Sequence, residues 1–252
     1  MEPTDIKTDY TYFTNDRIEP IEALESHKDL GVHMSDNGGF ENHIDITIKK
    51  AKKKIGWICR TFMSRDAFFM KKIYIAQVRP ILNYCVQLWS PLEGPLMDKL
   101  EKVQYHFTNL IPELRNFYSK TRLSKLKMLS VQRRINRYRI LYTRKIFLNK
   151  VPNPGICIRN DEYTRNGLKL EVPTRKGQSL LRAQNFLVRG PSIFNCLPKK
   201  LRNLEKSMDS YKIELDEYLG TLNDTPRIGE GSKQASNELD FIIKHQKWCL
   251  KP

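Results

Sequence analysis

The sequence predicts a mainly α protein, a helical bundle with a short β-hairpin or strand before it and a small irregular α+β part after it. Three observations carry this. Apolar residues recur at helical spacing over residues 44–62 and again over 96–110. Between them lies the least polar long segment of the chain, residues 71–91, where Ile73, Ile75, Ala76, Val78, Ile81, Leu82, Cys85, Val86 and Trp89 crowd most of a helix circumference. A helix apolar nearly all round belongs inside a bundle. Strand-like alternation is read only in short stretches, before residue 44 and at 168–172. The expected organisation is 1–44 for the first strands and turn, 45–150 for a basic helical bundle, 151–220 for a segment with short strands and one amphipathic helix, and 221–252 for a polar tail.

Residues 10–13 and 18–24 can pair as short strands across Asn15-Asp16, a turn-forming pair. Residues 27–34 read as one strand, ended by the Asp36-Asn37-Gly38-Gly39 turn. The first helix places Ile44, Ile48, Ala51, Ile55, Cys59 and Phe62 on one stripe, and Lys49, Lys50, Lys52, Lys53, Lys54 and Arg60 on its other faces. In residues 71–91, Arg79-Pro80 predicts a kink or break, because proline lacks a donor and disfavours helix at the preceding residue. Lys71, Lys72 and Arg79 leave no run of about 18 apolar residues, which argues against a membrane span. Gly94-Pro95 opens a helix with the stripe Leu96, Leu100, Val103, Phe107 and Leu110, stopped by Pro112. Leu123, Leu126 and Leu129 mark a short helix. Ser130 caps the next, with Val131, Ile135, Tyr138, Tyr142 and Ile146 inward and Arg133, Arg134, Arg137, Arg139, Arg144 and Lys145 outward. The two tyrosines are read as core residues and the arginines as phosphate contacts. Beyond residue 150, Leu168–Val172 alternates like a strand, Thr174-Arg175-Lys176-Gly177 reads as a basic turn, and 186–197 is mixed. Ser207 caps an amphipathic helix with Met208, Tyr211, Leu215 and Leu219 inward. Residues 221–236 read as polar and disordered, and 237–248 as a terminal helix.

The chain has 252 residues and a net charge of +16, unevenly placed. Residues 1–48 carry 3 basic and 11 acidic side chains, 49–204 carry 34 and 8, and 205–252 carry 7 and 9. A solubilising surface mixes the signs, whereas a block at +26 suits a polyanion. The five scattered cysteines, Cys59, Cys85, Cys157, Cys196 and Cys249, show no Cys-x2-Cys spacing for zinc. With a polar, acidic N-terminus lacking an apolar run, they predict a reduced intracellular protein, in nucleus or cytoplasm. The five histidines show no metal-ligand spacing, which disfavours a small nuclease built on Asp161-Glu162.

A family resemblance adds to this. Its pieces are Lys28-Asp29-Leu30-Gly31-Val32; Phe40-x-x-His43-Ile44; Val78-Arg79-Pro80-Ile81-Leu82-Asn83-Tyr84-Cys85 with Trp89-Ser90-Pro91; and Leu100-Glu101-Lys102-Val103-Gln104 with Thr108. Leu129-Ser130 with Arg133-Arg134, then Arg175, Phe194-Asn195-x-Leu197-Pro198 and Ser207-x-x-x-Tyr211-Lys212 follow in order. The whole resembles the C-terminal part of reverse transcriptases from non-LTR retrotransposons, the LINE and jockey-like mobile elements. Phe194 stands where that family usually has tryptophan, and Asn83 where it often has glutamate.

The resemblance implies the end of a palm, a helical thumb and the segment beyond. These polymerases transfer nucleotides with two metal ions on paired aspartates. No Asp-Asp occurs in this chain, and Asp5, Asp9 and Asp16 are read as surface residues. Magnesium would therefore belong to the catalytic half, and no catalysis or cofactor is expected of this chain. The expected partners are RNA or an RNA–DNA hybrid and the other half of the polymerase, with no membrane. Lys49, Lys50, Lys52, Lys53, Lys54, Arg133, Arg134 and Arg137 would contact phosphates, with Lys28 near the primer end. The alternative is a host-adopted module that binds nucleic acid or an acidic protein.

Overall fold

Two antiparallel hairpins precede the helices of the computed structural model, which describes residues 11–14, 17–20, 24–90, 94–158, 168–173 and 185–222. Strand β1 (Thr11–Thr14) pairs with β2 (Arg17–Pro20), with Thr14 opposite Arg17. The turn expected at residues 15–16 lies outside the described residues. The single strand expected over 27–34 is instead a second hairpin. Strand β3 (Ser26–Asp29) folds back on β4 (Val32–Ser35), with Asp29 opposite Val32. Leu30 and Gly31 between them have φ of 44° and 87°. Two consecutive left-handed residues form the turn whose twist suits a two-residue hairpin loop. Tyr84 seals it, its hydroxyl donating to the Leu30 carbonyl at 2.7 Å. Glycine supplies the positive φ without steric cost. We expect Gly31→Ala to lower the unfolding free energy by about 1 kcal/mol, read from the urea midpoint at unchanged slope.

Helix α1 (Glu41–Thr61) buries Ile44, Thr47, Ile48, Ala51, Ile55 and Ile58. The inward residue of its last turn is Ile58, while Cys59 and Phe62 pack at the edge of the core. At its N-terminal end His43 is buried; its Nδ1 accepts the His33 N–H at 3.3 Å, its Nε2 lies 3.4 Å from Thr47 Oγ1, and its ring meets Trp89 edge-on. Burial first, then the charges of His33 and Lys50, hold its pKa below the ordinary 6.5. The neutral ring is therefore the folded form. The stability it contributes is complete above about pH 6.5 and falls as pH drops through the lowered folded value. We expect the urea midpoint to fall more steeply between pH 7 and pH 5 in the native chain than in His43→Gln.

Residues 71–91 are differently built from the two apolar halves expected. Helix α2 (Ala67–Ile73), capped by Asp66 Oδ1 on the Phe69 N–H, runs into a π-helical turn, Tyr74–Val78, and then α3 (Arg79–Asn83). The Arg79 N–H reaches back five residues to the Tyr74 carbonyl. Pro80 explains this: it has no N–H for the carbonyl four residues back, and its ring crowds that carbonyl. Widening the turn accommodates proline without breaking the chain direction. The break comes later, where Cys85 takes a φ of 50° before α4 (Val86–Trp89). Nor is the segment buried all round. Met70, Tyr74, Val78, Leu82, Val86 and Trp89 are buried, whereas Leu88 is 51% exposed and Tyr84 53%. Steps of four residues drift about 40° each around a regular α-helix, and the wide turn takes up part of that drift.

Helix α5 (Gly94–Asn109) buries Met97, Leu100, Val103 and Phe107, and Leu96 and Leu110 pack at the margin. The Tyr74 hydroxyl donates to Gln104 Oε1 at 3.0 Å, and Gln104 Nε2 donates to the Leu129 carbonyl at 3.0 Å. Short α6 (Ser119–Lys125) precedes α7 (Val131–Phe147), whose cap is the expected one: Ser130 Oγ accepts the Arg133 N–H at 3.2 Å. Two cores meet along α7. Val131 and Ile135 belong to the first, with α1–α5; Ile140, Leu141 and Ile146 belong to the second. The second is completed by α8 (Phe186–Asn195) and α9 (Met208–Thr221), the latter burying Tyr211, Leu215 and Leu219. Ser207 Oγ caps α9 on the Ser210 N–H at 3.3 Å. The strand expected over 168–172 is a single bridge, Ile158 with Leu170. The expected turn at 174–177 and the tail from residue 223 lie outside the described residues. The architecture is thus mainly helical with short antiparallel pairing at its N-terminal end.

Candidate polyanion interface

The α1 lysines follow from the helix period. Residues 44, 48, 51, 55 and 58 turn inward, so the remaining faces are left to Lys49, Lys50, Lys52, Lys53 and Lys54. The first four are exposed; Lys54 is half-buried, its ammonium 4.7 Å from the Trp57 ring centroid. None of the five forms an ion pair among the described residues. The nearest acid along the helix, Asp45, is engaged by Lys99 at 3.0 Å. The column therefore presents uncompensated charge on a rigid support, an arrangement that neutralises phosphates without reading bases. Lys28 is exposed on β3 opposite His33.

The α7 arginines are placed otherwise than expected. Arg134 and Arg139 are each 1% exposed and Arg144 is fully buried, so the outward row of guanidinium groups does not exist as such. Long side chains on a helix packed on several sides bring their heads to carbonyls and hydroxyls within the protein. Arg144 donates to the carbonyls of Asn203, Leu204 and Lys206. Arg139 donates to Asn136 Oδ1 at 3.2 Å and to Ser90 Oγ, whose backbone carbonyl takes Arg189 at 3.1 Å. Burial pulls Arg139 down to about 9 and Arg189 well below its usual value, the neighbouring Arg139 charge adding to the latter. Arg133 and Arg137 are half-buried. Arg133 donates to Ser130 Oγ and to the Leu219 carbonyl, and Arg137 forks onto the Asp216 carboxylate through Nε and Nη2. Tyr138 and Tyr142 pack against the cores, as expected.

Three of the expected residues nevertheless share a concavity. Arg133, Arg134 and Arg137 line a groove of about 720 Å³ with Arg79 of α3, Lys120 of α6 and Lys127 of the following turn. Its carboxylates are Asp216 and Glu217 of α9. In the sequence Arg79 marks a helix break, and neither Lys120 nor Lys127 stands out. Only the fold brings these three elements to one place.

Among the described residues no three of His, Cys, Asp and Glu converge to hold a metal. Asp5, Asp9, Asp16, Asp161 and Glu162 lie outside those residues. Among the described residues no helix is long and apolar enough to cross a membrane. No family model, curated protein or solved structure matches this chain.

Proposed function

We propose that the chain is the thumb and C-terminal part of a reverse transcriptase of the non-LTR retrotransposon type, and that it grips the phosphate backbone of RNA or an RNA–DNA hybrid. The observation that carries the reading is the lysine column of α1, without ion pairs among the described residues, opposite the buried stripe of Ile44, Ile48, Ala51, Ile55 and Ile58. Five cations within residues 49–54, under two turns of helix, meet a backbone by charge alone, which suits a polymerase that must accept every sequence. The ordered motifs from Lys28 to Lys212 support the same reading, as does the excess of 34 basic over 8 acidic residues in 49–204. Nucleotidyl transfer and its magnesium ions fall to the polymerase's paired aspartates, which are not among this chain's residues. The chain's contribution is binding and orientation.

A salt titration tests it. Binding of a short RNA–DNA hybrid should weaken linearly in log–log form, with a slope of about −0.7 to −0.9 per phosphate contact. A flat dependence, or no binding at about 50 mM salt, overturns the phosphate reading. Competition by polyglutamate as effective as that by RNA would point to an acidic protein instead.

A further inference from the structure

The groove between α3, α6, α7 and α9 holds more positive charge than its own carboxylates answer. Apart from Lys120 and Arg133, which have interactions of their own, Arg79, Lys127, Arg134 and Arg137 line it against Asp216 and Glu217, and Asp216 is already bound by Arg137. Among the described residues no carboxylate pairs with Arg79. Its pKa is lowered by burial, then by the charge of Arg134, with Arg137 adding to it, and all three guanidinium groups line the groove. Arg134 gives a second, independent sign. It is 1% exposed and lines the groove, yet its Nε and Nη2 have no hydrogen-bond partner. A buried guanidinium with idle donors is costly unless an anion completes it. The neighbouring Arg144 and Arg139, buried on the same helix, have carbonyl or hydroxyl partners at their terminal nitrogens, and only the Arg144 Nε is idle there. The π-turn contributes as well, since it delivers Arg79 to the groove at the start of α3.

We propose that this groove is a binding site for clustered phosphoryl groups, seated on Arg79 and Arg134 with Lys127 at its edge, while Arg137, its fork held by Asp216, adds charge at the rim. Guanidinium forks match phosphoryl oxygens two at a time, which a lysine column does not. A volume of about 720 Å³ accepts a chain of several phosphates but not a duplex. The site stands apart from the α1 column and does not depend on the polymerase reading. Free polyphosphate and the 5′-triphosphate end of a nucleic acid carry the same chemistry, so both belong in the test.

The full chain is titrated calorimetrically with tripolyphosphate, and with a 5′-triphosphorylated and a 5′-hydroxyl RNA ten-mer. Arg79→Gln should weaken tripolyphosphate binding about tenfold. Asp216→Asn, which removes an acid from the rim, should tighten it about threefold. Lys52→Gln removes the same charge from α1 and should leave tripolyphosphate binding within about twofold while weakening the hydroxyl ten-mer. A preference for the triphosphorylated ten-mer that disappears in Arg79→Gln identifies a chain end as the source; equal binding of the two ten-mers with tripolyphosphate still sensitive to Arg79 identifies free polyphosphate. Equal weakening of tripolyphosphate by Lys52→Gln and Arg79→Gln, or no response to Asp216→Asn, overturns the site. Should Arg79→Gln fail to melt cooperatively, the Asp216→Asn comparison decides alone. Loss of hybrid binding by the native chain with tripolyphosphate binding intact would remove the proposed function and leave this site standing.

Discussion

Replacing Lys49, Lys50, Lys52 and Lys53 together with glutamine is expected to cut hybrid binding by about a thousandfold near 0.1 M salt and to flatten the salt slope by about 3. Each phosphate neutralised releases condensed cations, and each lysine removed forfeits that release. Glutamine and lysine have nearly equal helix propensity, and all four positions are exposed, so the stripe of Ile44, Ile48, Ala51, Ile55 and Ile58 and the melting temperature should be unaffected. The prediction separates the two sets of cations that the sequence reading had grouped. Arg134→Gln should leave the salt slope unchanged, since that residue is 1% exposed and does not lie on an open backbone-binding surface. An unchanged salt slope in the four-lysine variant would show that phosphates are met elsewhere.

The legible and illegible parts of the fold divide along physical lines. Ile44, Ile48, Ala51 and Ile55 announced α1, because its period is local and nothing but helix fits it. The Ser130 and Ser207 caps were equally readable, a serine oxygen three residues before an N–H it satisfies. The Leu30-Gly31 turn was missed because a leucine with φ of 44° contradicts local preference; a seal from Tyr84, 54 residues away, accompanies it. The route around Pro80 was also hidden: proline implies a disturbance, but whether the helix stops or widens depends on what the next turns pack against. The arginines of α7 mark the sharpest limit. On a helical wheel Arg144 lies opposite Ile135 and looks outward, and its burial is decided by residues 203–206 before α9, far along the chain, while Arg134 and Arg139 meet Tyr74 and Ser90 of the preceding elements. The same distance hid the groove, whose Arg79 and Lys127 mean little until α3 and α6 stand beside α7.

Arg144→Met is expected to lower the unfolding free energy by about 3 kcal/mol, the largest stability loss among the α7 arginines. Arg144 is fully buried, donates to Asn203 O at 2.6 Å, Leu204 O at 3.1 Å and Lys206 O at 2.6 Å, and lies 4.0 Å from the Tyr211 ring centroid. The segment 203–206 has no helix or strand to satisfy those carbonyls, and one planar guanidinium serves all three while stacking on an aromatic face. Methionine keeps the side-chain volume and the contact with Tyr211 but leaves the carbonyls to compete for water. Arg144→Lys should fall between, because a compact ammonium cannot span the three acceptors in one plane. Burial holds the Arg144 pKa below its usual value, so the charge has been brought inside against a desolvation cost that only those carbonyls and the ring offset. The loss should be local first. Limited proteolysis of Arg144→Met should cut between α8 and α9 before α1–α5 are touched, and simultaneous cleavage throughout would show instead that the two cores along α7 unfold as one.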